Sequence, residues 1–481
     1  MQAGDRRIIN FTTGGVIGKL ILFAVPIIIS ELLQNLYSSV DSVVVGRYVS
    51  EAALAAISVC TPIVQLMVGF FNGMSIGNTV VTAKAFGSGD EEATKRAVRY
   101  AFSFSIALGV VVSVLGIALA PVLLNLTGCN EEIYGEAITY LRIYLAGLMF
   151  TVIYNCGTGI LRAIGDARTP LYILAVTSVL NIILDVLFVA VFGWGIAGVG
   201  IATILAQGLS MLLVALVLRR RIKAPCVAMK ETWTEGRRTV LSSVRIGFSA
   251  GLQNALISFS NIFVWSYINR FPTSVVAGIG AAMKVDRFAV LPCKSLAMTT
   301  TTFVSQNLGA RNYERARKGF WYGFGLCAAV TLPLALVVRT FADTAVGIFT
   351  KDAAVIEAGA GMTRFLSLFY ILIVIREVLL SYLRGYGRSR MPMILSLIGM
   401  VGLRQLYLAV ATAWDPSSLK IVLAGFPLGW AAAMVLLLLY TAVVIRKMWR
   451  DAEEEGLPEE EMPPEAEAEA EAGAGEPAEE A

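Results

Sequence analysis

The sequence predicts an all-α membrane protein with twelve transmembrane helices, arranged as two six-helix lobes related by a pseudo-twofold axis along the membrane normal. The composition, a series of long apolar runs and an internal repeat each support this fold class. Of the 481 residues, 57% are hydrophobic and only 15% are charged. Because a soluble domain usually carries about 25% charged residues, this composition favours a lipid environment.

Long apolar runs recur along the chain, separated by charged or Gly/Pro-rich breaks. About twenty apolar residues cross a hydrocarbon core of about 30 Å, and a backbone in lipid satisfies its hydrogen bonds within its own helix. The runs therefore predict a multi-pass helical bundle. The twelve predicted spans are residues 17–40, 53–80, 97–120, 135–158, 169–191, 196–218, 241–267, 275–303, 318–338, 359–382, 391–412 and 419–445.

Lysine and arginine residues concentrate in alternate loops. This asymmetry predicts that both termini are cytoplasmic in a multi-pass protein of the cell membrane. The final segment is rich in acidic residues, lacks Lys and Arg and has too little apolar surface to fold alone. The predicted domains are an N-terminal lobe at 1–218, a basic cytoplasmic interlobe loop at 219–240, a C-terminal lobe at 241–450 and a disordered acidic cytoplasmic tail at 451–481.

The two halves of the chain repeat short motifs at a nearly constant offset. Residues 33–35 and 252–254 both read Leu-Gln-Asn, and the Leu-Arg start of residues 161–165 recurs at 383–387. Six spans per half give both lobes the same orientation in the membrane. Two parallel lobes form a central cavity that opens to either side as they rock, which is the geometry of alternating access.

The sequence offers little to support an enzyme. The chain has no histidine, and its six cysteines occur singly, so a His-ligated metal site is excluded and no cysteine spacing predicts another. No nucleophile–base or phosphate-loop motif is present. We expect no enzymatic activity, no cofactor and no nucleic-acid partner. We expect the protein to be a monomer whose partners are the lipid bilayer and a small organic solute.

Polar residues in the first-lobe spans predict an ion-coupling site, because ionisable groups at bilayer depth are costly and usually functional. Gln34, Tyr37 and Asp41 share one helix face, as do Asn181 and Asp185. The ion-coupling candidates are Tyr37, Asp41, Tyr140, Asn181, Asp185 and Thr203. Two adjacent carboxylates can share a proton. Alternatively, Na⁺ binds at Asp41, Asn181, Asp185 and Thr203, or Asp41 and Asp185 serve only helix contacts.

The second lobe lacks this acid set, since the repeat places Ser260 opposite Asp41 and Tyr407 opposite Asp185. Its own charges either form neutralising pairs or line the cavity. The candidate pairs are Lys284 or Arg287 with Asp286, and Arg404 with Glu377. These charged residues and three amide side chains are the substrate-cavity candidates: Gln34, Gln253, Asn254, Lys284, Asp286, Arg287, Glu377 and Arg404. In the first span, Pro26 is expected to permit a helix bend.

Several motifs resemble the multidrug and toxic compound extrusion (MATE) family. They are Val-Asp at 40–41, Gly-Ser-Gly-Asp at 87–90, Leu-Arg-Ala-Ile-Gly-Asp at 161–166, Asn-Ile-Ile-Leu-Asp at 181–185, Gly-Ile-Ala-Gly at 195–198, Gln-Asn-Leu-Gly-Ala-Arg-Asn at 306–312 and Leu-Arg-Gly-Tyr-Gly at 383–387. The resemblance covers about residues 15–445, and the first-lobe carboxylates are similar to the DinF-like bacterial branch.

This resemblance implies a secondary active antiporter. Such proteins export small hydrophobic or cationic organic compounds, such as drugs, toxins and metabolites, in exchange for H⁺ or Na⁺. In the DinF-like branch, the positions that match the six ion-coupling candidates bind the cation, and the bend at the match of Pro26 is linked to protonation. The alternative is a flippase for a lipid-linked or oligosaccharide precursor in the same superfamily.

Overall fold

The structure is a computed structural model that describes residues 8–127, 129–223 and 233–454. Within these segments the side chains are described except at residues 36–48, 51, 54, 233–235 and 452–453. The described part of the chain is almost entirely helical and contains no strand. The all-α prediction is therefore confirmed.

Six helical spans form the first lobe. They are α1 (Val16–Tyr48), α2 (Glu51–Gly87), α3 (Glu91–Leu126), α4 (Glu131–Ala163), α5 (Arg168–Asp185) and α6 (Gly195–Ile222). A π-helical segment, Val186–Val191, extends α5.

Six further spans form the second lobe, two of them interrupted. The second-lobe helices are α7 (Trp233–Ile268), α8 (Thr273–Gly309), α9 (Tyr313–Thr340), the short α10 (Ala342–Gly347), α11 (Ala353–Leu366), α12 (Tyr370–Gly385), α13 (Arg390–Leu397), α14 (Arg404–Trp414) and α15 (Leu419–Glu454). A 3₁₀ turn joins α11 to α12, and a π-helical segment, Ile398–Leu403, joins α13 to α14. With these joined helices counted as single spans, the described residues form twelve spans, as predicted.

The predicted boundaries differ from the observed ones at several places. The run Arg219–Arg221 forms the last turn of α6, and α7 already begins at Trp233, so the predicted loop at 219–240 is too long. The predicted tail start is also too early, because α15 continues to Glu454; residues 455–481 lie outside the described part. Helix α10 was not predicted. Polar helix ends extend beyond the apolar runs, so hydropathy underestimates their length.

Ten of the spans are long and apolar enough to cross a membrane. Helices α7 and α8 are the more polar ones. The first is rich in serine and amide side chains, and the second carries Lys284, Asp286, Arg287 and Lys294. Polar groups are tolerated at bilayer depth where they face protein or a water-filled cavity, so these two helices are candidates for lining one.

The internal repeat is visible in matching hydrogen bonds. The Thr79 hydroxyl donates to the Gly159 carbonyl at 3.1 Å, and the Thr301 hydroxyl donates to the Ser381 carbonyl at 3.0 Å. Each bond joins the second span of a lobe to its fourth. The turns after the fourth spans also match, since Gly165 has φ +89° and Gly387 has φ +82°, a backbone conformation that glycine adopts without strain.

The lobes meet through small residues on α2 and α7. A Cβ at Gly73 would lie 2.2 Å from the Gly251 nitrogen, and one at Gly77 would lie 2.0 Å from the Ser243 oxygen. Only glycine permits such close approach of two helix backbones. Helices α2 and α8 meet in the same way, because a Cβ at Gly309 would lie 1.9 Å from the Lys84 carbonyl oxygen.

These contacts lie toward one end of the bundle, where α2, α6 and α8 end and Lys84, Arg219–Arg221 and Arg311 lie. We call this the basic end. Farther along the same helix faces, toward the opposite end, Pro62 of α2 and Ile262 of α7 are exposed. The lobes are therefore closed together at the basic end and separate toward the opposite end. The space between them is here called the interlobe cleft.

Candidate ion-coupling site and interlobe cleft

Asn181 and Asp185 lie inside the first lobe. They are 2% and 0% exposed, one helical turn apart on α5. Helix α5 packs against α1, α4 and α6, so the buried carboxylate is enclosed by protein rather than lipid. It lies about 25 Å along α5 from the basic end, at 1.5 Å per residue. This depth places Asp185 in the half of the lobe where the interlobe cleft is open.

The helix changes geometry immediately after Asp185. The π-helical segment begins at Val186 and ends at Val191. A π-helical turn holds an extra residue and turns the following side chains relative to an α-helix, and such segments often occur at functional sites. The buried acid therefore lies at the junction between α-helical and π-helical backbone hydrogen bonding.

Thr203 and Tyr140 lie on the helices next to α5. Thr203, on α6, is 8% exposed and its hydroxyl donates to the Val199 carbonyl at 2.9 Å. Tyr140, on α4, is half-buried, packs against the core cluster that contains Val199, and lies 6.2 Å from Tyr144 between ring centroids. Because α4 packs on α6, both side chains belong to one region of the first lobe.

Tyr37 and Asp41 belong to α1, but their side chains lie outside the described residues. The helix itself packs against α5, α6 and the π-helical segment after Asp185. Gln34, three residues before Tyr37, is half-buried. The participation of Tyr37 and Asp41 stays a prediction.

Pro26 lies within a continuous α1. Proline has no N–H to donate, so the carbonyl one turn earlier lacks its usual helical partner. The Ser30 hydroxyl donates to the Pro26 carbonyl at 2.8 Å. The helix is thus locally weakened at this point.

In the second lobe, the structure gives the charges different partners from those considered above. Glu377 forms an ion pair with its neighbour Arg376 rather than with Arg404. Arg404 is 1% exposed and donates to the Ser260 hydroxyl at 2.7 Å. Adjacent residues on a helix seldom pair, so the Arg376–Glu377 pair was not expected.

Asp286 also has a different partner. It accepts a hydrogen bond from the Tyr370 hydroxyl at 2.5 Å, and neither Lys284 nor Arg287 pairs with it among the described residues. The Lys284 ammonium lies 5.3 Å from the centre of the Phe349 ring. Both Lys284 and Arg287 are exposed. The structure thus shows no ion pair among these three residues, and their role in lining the cavity stays a prediction.

The two predicted amides hold the structure together in this conformation. Gln253 is buried and accepts from the Arg384 guanidinium at 2.8 Å. The Asn254 amide donates to the Gly69 carbonyl of α2 at 3.3 Å. Since both side chains are engaged by protein, neither is a free contact for a substrate here.

Two charged residues near this network were missed in the sequence. Lys294 is exposed on α8 and lies near Glu377 and Asp286. Arg384 is buried beside Glu377. Lys294 could have been found, because it lies seven residues after Arg287 and hence on the same helix face. Arg384 was taken only as part of a motif.

Among the described residues, no group of three or more His, Cys, Asp or Glu side chains is placed to hold a metal ion. The Na⁺ hypothesis depends on Asp41, whose side chain lies outside that part.

Comparison with known proteins places this architecture in a family. The MatE family profile matches residues 26–187 and again 250–410, one match in each lobe. The probable multidrug resistance protein YoeA of Bacillus subtilis (strain 168) is 26% identical over 433 residues, covering 89% of this chain and 93% of that protein. YpnP of the same organism, also named a probable multidrug resistance protein, is 28% identical over 406 residues, covering 84% of this chain and 90% of that protein.

A solved structure has the same fold. It is the outward-facing conformation of a multidrug resistance MATE family transporter of the MOP superfamily. It aligns with a TM-score of 0.84 at 22% identity, covering 93% of this chain and all of that one. Two profile matches, two lobes of six spans and this alignment lead to one conclusion: the chain belongs to the MatE family of multidrug efflux transporters.

Proposed function

We propose that this protein is a secondary active antiporter that exports small hydrophobic organic compounds across the cytoplasmic membrane in exchange for H⁺, with Na⁺ as the alternative coupling ion. The observation that carries the proposal is the fully buried Asp185 in the open half of the first lobe. A buried charge is costly at this depth, so the carboxylate responds strongly to a proton or cation.

Protonation supplies a way to move the lobes. A charged Asp185 is best stabilised while water reaches the cleft, whereas a neutral one tolerates a closed, dry environment. A ligand shifts a two-state equilibrium by the difference in its affinity for the two states. Proton binding would therefore favour one arrangement of the lobes. Pro26 would let α1 bend as the site changes its protonation.

The orientation follows from the charge distribution. Cytoplasmic loops carry an excess of Lys and Arg, so the basic end would be cytoplasmic and the open end of the cleft external. In this conformation a substrate taken up from the cytoplasm would be released outside. Closure of the outer half of the cleft and separation of α2 from α7 at the basic end would make the site accessible from the cytoplasm again.

The test is gradient-driven flux in proteoliposomes. Asp185→Asn keeps the size of the side chain but cannot lose a proton, so we expect uphill transport to fall to the background of protein-free vesicles under an imposed pH gradient. Asp90→Asn is the matched control, because Asp90 is an exposed helix cap and asparagine caps equally well. A sodium gradient without a pH gradient distinguishes the two ions. If Asp185→Asn still concentrates substrate at the native rate, the coupling assignment is wrong.

A further inference from the structure

A row of cationic side chains follows one face of α8. Lys284, Arg287 and Lys294 are all exposed, and their spacing of three and seven residues aligns them with Met298. The Met298 sulfur accepts a hydrogen bond from Arg162 of the first lobe at 3.3 Å. This face of α8 therefore points at the first lobe, and its cations line the interlobe cleft.

The cations lie deep in the membrane region. At 1.5 Å per residue, Lys284 and Lys294 are within about 10 Å of the midpoint of α8, well inside a hydrocarbon core of about 30 Å. Lysine and arginine at this depth require water or counter-charges. Within the described residues, Arg287 and Lys294 have neither an ion pair nor a hydrogen bond.

The second lobe contains too few acids to neutralise these charges. Helices α8, α12 and α14 carry six cationic side chains and two carboxylates. Asp286 is engaged by Tyr370, and Glu377 by Arg376. The cations are Lys284, Arg287, Lys294, Arg376, Arg384 and Arg404. The exposed cations Lys284, Arg287 and Lys294 therefore give the α8 wall of the cleft an excess of positive charge. The three arginines of α12 and α14 lie buried behind it.

The repeat sharpens the contrast between the lobes. Ser260 occupies the position that corresponds to Asp41, and it accepts a hydrogen bond from the buried Arg404. Where the first lobe has an acid, the second lobe thus has a hydroxyl that holds a guanidinium.

From these observations we propose that the second lobe binds the carboxylate, sulfonate or phosphate group of an amphipathic organic anion, and that the exported substrate is such a soluble anion rather than a cation. The inference rests on the proposed antiport function and adds the charge of its substrate. Lys294 and Arg287 contact the anionic group. The apolar body of the substrate packs against exposed rings and aliphatic side chains beside them, such as Phe288 of α8 and Ile262 of α7.

This assignment gives the two lobes separate tasks. The acids of the first lobe take the coupling proton, and the cations of the second take the substrate anion. Arginine and lysine bind carboxylate and phosphate groups through charge-assisted hydrogen bonds, which are about twice as strong as neutral ones. Such a bond is worth about 1.5–3 kcal/mol, so loss of one contact should weaken binding at least about tenfold.

Two dyes with the same xanthene ring system test the charge preference. Carboxyfluorescein is anionic and a rhodamine ester is cationic, and each is offered to proteoliposomes under a pH gradient. We expect saturable, gradient-driven flux of carboxyfluorescein. Lys294→Gln should raise its KM about tenfold or more without preventing coupling at saturating dye. Lys318→Gln is the matched control, because Lys318 is an exposed lysine on α9 at the basic end, and its KM should be unchanged.

Each other outcome contradicts a defined part of the account. Driven flux of the rhodamine ester alone refutes the anion assignment while the antiport function stands. Absence of driven flux for both dyes contradicts both proposals. An unchanged KM for Lys294→Gln contradicts the assigned contact between Lys294 and the anionic group of the substrate. Translocation of a headgroup-labelled anionic phospholipid without carboxyfluorescein flux refutes a soluble substrate and indicates a lipid one.

Discussion

Single charged residues at equivalent turns of the two lobes have opposite sign. Asp166 follows Gly165, whose backbone is in the left-handed region, and forms an ion pair with Arg221 of α6 at 3.1 Å. Arg388 follows the left-handed Gly387 and donates to Asp451 of α15 at 2.5 Å. In both lobes the turn after the fourth span is thus tied to the end of the sixth. The repeat preserves the position of the tie and not the charge of the residue that follows the glycine.

Glycine residues set the distance between the lobes at the basic end. A methyl group at Gly77 would lie 2.0 Å from the Ser243 oxygen of α7, whereas a methyl group at Gly325 of α9 meets no atom within 4 Å. Alanine otherwise favours a helix by about 1 kcal/mol over glycine. We expect Gly77→Ala to lower the melting temperature and separate the lobes, and Gly325→Ala to leave the melting temperature equal or higher. Equal thermal stability of the two variants would show that α2 and α7 do not need this close approach.

An amino-terminal segment, residues 8–14, links the two lobes at the basic end. The Ile9 nitrogen donates to the Gly165 carbonyl at 2.9 Å in the first lobe. In the second lobe, the Phe11 nitrogen donates to the Gln306 side chain at 3.0 Å, and Arg315 donates to the Phe11 carbonyl at 3.0 Å. Because Ile9 and Phe11 are only two residues apart, the two sets of bonds can form together only while the basic ends of the lobes are close. The segment therefore stabilises the present conformation.

Gln306 joins this segment to the first lobe directly, since its amide also donates to the Ala163 carbonyl at 2.8 Å. Gln306→Ala removes both bonds, each worth about 1 kcal/mol, so the lobes should open at the basic end about thirty times more often. A cysteine introduced at the buried Met74 would report this as faster reaction with a water-soluble maleimide. Gln405→Ala is the control, because Gln405 binds Ser260 inside the second lobe. Equal labelling rates in the two variants would refute the role of the segment.

The number of helical spans could be predicted from the sequence, whereas the local geometry within each helix could not. Runs of apolar residues specify a span, because the cost of exposing them to water dominates other terms. A hydropathy profile does not show whether a helical turn accommodates one extra residue. The π-helical segments at Val186–Val191 and Ile398–Leu403 were therefore not predicted. The short α10 is missed for a related reason, since six residues carry no helical period.

For the whole molecule, the sequence identified which residues are buried and charged better than it identified their partners. Asn181 and Asp185 were predicted from their cost at bilayer depth, and both are buried. The partner of Glu377 depends on which rotamer Arg376 adopts against its surroundings, which no spacing rule encodes. The cleft itself was predicted from the repeat, whereas the end at which it opens depends on α2 and α7 packing through glycines.

The central claim is that protonation of the first lobe moves the two lobes in opposite senses at the two ends of the bundle. Spin-label distances measure this directly, in a background without the native cysteines. One pair of labels is placed at Ser88 and Arg311 at the basic end, and another at Asn130 and Asn269 at the opposite end; all four positions are exposed.

Lowering the pH should lengthen the first distance and shorten the second, and Asp185→Asn should remove the pH response of both. Distances that stay constant with pH, change together, or respond equally in Asp185→Asn would contradict the account.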